Sequence, residues 1–77
     1  MKADESLDCI GLYCPMPIVK TAEKIKQLKA GQVLEVMADD KGIIKDMSAW
    51  CRATGNEFLG TEQKDGEIKV YVKKSHE

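Results

Sequence analysis

The 77-residue chain reads as an α/β (α+β) fold, a two-layer sandwich of order β-α-β-α-β-β, with a mixed four-stranded sheet and both helices on one face. Three observations predict it. Apolar residues recur at helical spacing in two stretches, short β-branched runs alternate with those stretches, and an Asp-Gly pair separates two alternating runs near the end. Two strand–helix–strand passages imply crossovers that return each helix to the same side of the sheet, and the terminal hairpin supplies the antiparallel strand. No repeat or linker divides the chain, so residues 1–77 form one domain with an ordered core over about residues 6–73.

Ser6 to Ile10 alternates and stops at Gly11, which predicts a first strand. From Pro15 to Lys29, Ile18, Ala22, Ile25 and Leu28 line one face while Lys20, Glu23, Lys24 and Gln27 line the other, an amphipathic helix closed by Ala30-Gly31. Val33 to Ala38 is apolar, β-branched and too short for a helix, so it is the second strand. The second helix follows: Ile43, Ile44, Met47, Trp50, Cys51 and Thr54 share a sector opposite Lys45, Ser48 and Arg52, and Gly55-Asn56 stops it. Glu57 to Gln63 and Glu67 to Lys73 are strands around Lys64-Asp65-Gly66. In the last strand Ile68, Val70 and Val72 face the core, leaving Lys69, Tyr71 and Lys73, with Glu35, on a wet outer face.

Composition narrows the function. Twelve Lys+Arg against 13 Asp+Glu leave a formal charge of −1, so the global field that draws a domain to nucleic acid or anionic lipid is missing. No apolar run approaches the ~18 residues of a membrane span, and the acidic, polar opening residues carry no secretory h-region. Three cysteines cannot all pair within one chain, which points to reduced thiols and a cytoplasmic location. Each cysteine is then packing, a metal ligand or a nucleophile.

Gly11-Leu12-Tyr13-Cys14-Pro15-Met16-Pro17 joins the first strand to the first helix. Pro15 suits the first helical position, where a missing N–H costs nothing, and this makes Cys14 the N-cap. A thiolate there faces the positive end of the helix dipole, which favours ionisation; Pro15 and Pro17 preset φ and orient the sulfur. Cys14 is the candidate nucleophile, although a thiol that merely precedes a helix remains open on local grounds. Cys51 reads as core. Cys9 is either core or an accessory thiol, five positions from Cys14. Asp39 and Asp40 are candidate caps of the second helix, or accessory groups for partner recognition or proton handling, because parallel pairing brings the end of the second strand near the end of the first. A zinc site from Cys9, Cys14, Cys51 and His76 lacks any Cys-x-x-Cys pair, so no metal is assigned.

Asp8-Cys9-Ile10-Gly11-Leu12-Tyr13-Cys14-Pro15-Met16-Pro17 resembles the signature of the TusA/SirA-like sulfur-carrier family: an Asp, a Gly three residues on, and Cys-Pro-any-Pro after two more. The likeness extends to Ala38-Asp39-Asp40 and to Trp50-Cys51; Cys9 departs from it, standing where the family more often has a small apolar residue. The resemblance implies a cytoplasmic sulfurtransferase in which Cys14 accepts sulfane sulfur as a persulfide, without cofactor, and relays it. The implied partners are a donor, a cysteine desulfurase or rhodanese-like enzyme, and a downstream acceptor protein. Two alternatives stand beside it. One is an RNA-binding module, since the fold is similar to that of the C-terminal domain of bacterial translation initiation factor three, although no basic stripe with interleaved aromatics is present. The other is a redox regulator that forms a Cys9–Cys14 disulfide.

Overall fold

The computed structural model describes residues 2–13 and 16–75, so the expectations for Cys14, Pro15 and His76 lie outside the described residues. The elements are β1 (Glu5–Asp8), α1 (Met16–Ile25), β2 (Val33–Ala38), α2 (Gly42–Thr54), β3 (Glu57–Lys64) and β4 (Glu67–Lys73). They form one four-stranded sheet of order β1-β2-β4-β3. β1 runs parallel to β2, and β4 lies antiparallel to both β2 and β3. The hairpin thus inserts its second strand beside β2, and the crossover through α2 passes over β4.

Alternation along β2 and β4 sends Leu34, Val36, Ala38, Ile68, Val70 and Val72 to one face, where all are buried. Ile25 of α1 and Ile43, Met47 and Cys51 of α2 pack on that face in a single core cluster, so both helices cover the same side of the sheet. Thr21 is buried among them, and its hydroxyl donates to the Pro17 carbonyl at 2.8 Å. α2 ends at Gly55, whose φ of 79° gives the left-handed turn that closes a helix. Asp65 and Gly66 have φ of 53° and 80°, the paired positive values of a type I′ hairpin turn.

Several boundaries or faces differ from the sequence reading; β1 begins at Glu5 rather than Ser6, and β3 runs to Lys64 rather than Gln63. α1 ends at Ile25 rather than Lys29: Gln27 and Leu28 donate to Lys24 and Ile25, three residues back, and this tighter winding still places Leu28 in the core. The Lys74 ammonium donates to the Leu28 carbonyl at 2.6 Å, satisfying an acceptor left open where the helix stops. β1 ends at Asp8 rather than Ile10: the Cys9 N–H makes the last bond to β2, and the Asp8 carboxylate accepts the Ile10 N–H at 2.9 Å as the chain turns away. Tyr71 projects outward in register with Glu35, yet only 2% of it is exposed. Its other neighbour across the sheet is Gly60, at a β-bulge after Phe58, which leaves room for the ring, and its hydroxyl donates to Glu35 at 2.9 Å. Hydrogen bonds to Glu62 and Glu35, together with desolvation, push the Tyr71 phenol up, and the same contact pulls Glu62 down.

Cys51 is 1% exposed, and burial pushes its thiol up to about 11. Below the unfolded thiol's pKa the buried neutral form stabilises the fold. As pH rises toward 11 the unfolded chain loses its proton first, so stability falls by about 2 kcal/mol from this group. Cys51→Ala should cost about 1 kcal/mol at neutral pH and should flatten the decline of denaturant midpoint between pH 9 and 11. An unchanged alkaline decline in the variant would show that Cys51 does not carry it.

Candidate functional site

Parallel pairing of β1 with β2 brings the C-terminal ends of both strands to one edge of the sheet. Ladder bonding continues one step past β1, where the Cys9 N–H donates to the Met37 carbonyl at 2.7 Å. The chain then turns: the Leu12 N–H donates back to the Cys9 carbonyl at 3.1 Å, and Gly11, at φ 85°, occupies the third position of that turn. A positive φ there is what a type II turn requires and what glycine supplies without strain.

The two aspartates after β2 divide their tasks. Asp40 accepts the Gly42 N–H at 3.0 Å through its carboxylate, and its carbonyl accepts the Ile43 N–H at 3.1 Å, so Asp40 meets the open donors at the start of α2. Asp39 does not cap α2: its Oδ1 accepts the Gly11 N–H at 3.2 Å, across 28 residues of chain. The N-cap position of α2 is Lys41, which makes no side-chain cap; Asp40, one residue ahead, accepts the Gly42 and Ile43 N–H groups. At Asp39 the adjacent loop captures the carboxylate instead.

Cys14 and Pro15 fall between two described residues, Tyr13 and Met16, which are 75% and 41% exposed. Pro17, the second residue of α1, is buried and fixes the first turn of that helix against the core. Ile10 and Val19 are also exposed, at 45% and 42%. Ile10, Tyr13, Met16 and Val19 thus place four apolar side chains in solvent along the loop and first turns of α1. The sequence reading missed this rim. Its signal was phase: Met16 and Val19 fall outside the apolar sector set by Ile18, Ala22, Ile25 and Leu28.

The other two thiols lie elsewhere. Cys9 is fully buried in the core; burial first and the Asp8 carboxylate second push its thiol up, against a smaller pull from Lys20. Cys51 is on the core side of α2. Neither has the exposure or the lowered pKa of an attacking thiolate. Among the described residues no group of three or more His, Cys, Asp or Glu is arranged to hold a metal ion, and no helix is long and apolar enough to cross a membrane.

Comparison with known proteins bears on this arrangement. TusA, named as a sulfur carrier protein in Allochromatium vinosum, is 39% identical over 72 residues, covering 94% of this chain and 95% of the relative. YrkF of Bacillus subtilis strain 168, by its name a candidate sulfur carrier, is 51% identical over all 77 residues. The chain spans 42% of YrkF and 39% of a relative from Aquifex aeolicus, about two fifths of the length of either. A solved SirA-like protein from Desulfitobacterium hafniense shares the fold, with a TM-score of 0.81 over 94% of this chain and 99% of its own, at 23% identity. Residues 5–74 match the family model described as sulfurtransferase TusA, and the chain belongs to that family of sulfur carriers.

Proposed function

We propose that the chain is a persulfide relay in which Cys14 is the sulfur-bearing atom. One observation carries the reading: of three cysteines, Cys9 and Cys51 are sealed in the core with thiols pushed up, while the segment that holds Cys14 is flanked by exposed apolar residues. A thiol that must meet two successive proteins needs that surface and little else.

The step is a displacement at sulfur. The Cys14 thiolate attacks the outer sulfur of a donor persulfide; the donor's S–S bond breaks, a new S–S bond forms to Cys14, and the donor leaves as a thiolate. The same exchange, with an acceptor cysteine as attacking group, discharges the carrier. No net oxidant or reductant enters. The start of α1 favours the thiolate through its dipole, and Pro15 and Pro17 restrict the backbone that aims it. Donors of the cysteine desulfurase or rhodanese type, and an acceptor protein with its own thiol, fit this chemistry, and the Ile10, Tyr13, Met16 and Val19 rim is where each would seat.

Two results are expected. With a labelled persulfide donor, the sulfur should map to the Cys14 peptide, Cys14→Ser should load none while keeping its thermal midpoint, and Cys9→Ala/Cys51→Ala should load at the parent rate; label retained in Cys14→Ser contradicts the assignment. Tyr13→Ser/Val19→Ser should raise the donor KM about tenfold, the equivalent of roughly 1.4 kcal/mol of lost contact, and leave the rate at saturating donor unchanged. An unaltered KM would show that partners dock elsewhere.

A further inference from the structure

We propose that Asp39 is a positioning residue for sulfur transfer, acting through the Gly11 amide. This rests on the reading of Cys14 as the sulfur carrier. The geometry behind it is a single long-range bond. Gly11 occupies the third position of the Cys9–Leu12 turn, whose closing bond uses the Leu12 N–H, and the Asp39 Oδ1 accepts the Gly11 N–H at 3.2 Å. The turn that precedes Cys14 is thereby tied to the loop after β2, and through β2 to the centre of the sheet.

Three considerations favour positioning over other roles. The open donors at the start of α2 are already met by Asp40, so Asp39 is not needed there. Asp39 is exposed, and an exposed amide–carboxylate bond adds little to global stability while still restricting which way a loop can lean. The Gly11 N–H needs only a fixed acceptor oxygen, which is what Asp39 supplies. Nucleophilic displacement at sulfur needs an aligned approach, and a small misplacement of the attacking group is costly in rate.

Asp39→Asn keeps an acceptor oxygen and removes the charge, whereas Asp39→Ala removes both. If Asp39 positions the loop, single-turnover loading from a persulfide donor should slow about tenfold in Asp39→Ala and stay within about twofold of the parent in Asp39→Asn. The pH profile of Cys14 alkylation, on a background of Cys9→Ala/Cys51→Ala, should move to lower pH by similar amounts in both variants, because both lose the same charge. Hydrogen exchange at the Gly11 amide should accelerate in Asp39→Ala only. Parent-like loading in Asp39→Ala overturns the proposal, and so does loading in Asp39→Asn as slow as in Asp39→Ala, which would make charge the operative property. Should the parent chain itself accept no sulfur, the relay reading fails; Asp39 is then judged by Gly11 amide exchange, where equal rates in the Asn and Ala variants overturn it.

Discussion

The parallel pairing of β1 with β2 is the constraint on which the site depends. A parallel pair places equivalent strand ends side by side, so the turn that leaves β1 and the turn that leaves β2 must meet at one edge of the sheet. β2 can hold that position because β4 pairs along its other side over six residues, from Val33–Lys73 to Ala38–Ile68. The Gly11–Asp39 and Cys9–Met37 bonds are local consequences of this placement.

A one-sided core in so short a chain also sorts the thiols. Every helix position facing the sheet is needed for burial, and Cys51 is absorbed there with Ile43 and Met47. Cys9 follows β1 inward and is desolvated in the same cluster. Burial raises both pKa values and suppresses their reactivity at neutral pH. The apolar residues around the loop that joins β1 to α1 are excess to the core and remain in solvent.

Much of the fold was legible because its signals are local. The Asp65-Gly66 turn and the β-branched runs gave β2 and β4 to the residue, and the helical sector of α2 correctly placed Cys51. Other features depend on contacts between distant segments. Period-two alternation put Tyr71 on the wet side and was right about its direction; its burial depends on Gly60 and Glu35 on neighbouring strands. Two adjacent, chemically identical aspartates could not be assigned from local sequence, because the task of Asp39 depends on Gly11, 28 residues away. Cys9 shares the phase of Leu7 in the first alternating run, and both meet the core, although the strand itself stops at Asp8.

The most direct measurement of the relay itself follows the sulfur out of the protein. The chain is loaded with labelled sulfane sulfur, separated from donor, and mixed with an acceptor protein bearing a single thiol, with both products mapped by mass spectrometry. The expected result is stoichiometric passage of the label to the acceptor cysteine and recovery of a free Cys14 thiol. Release of the label as sulfide, with a Cys9–Cys14 disulfide left behind, would contradict the relay and identify a redox device instead.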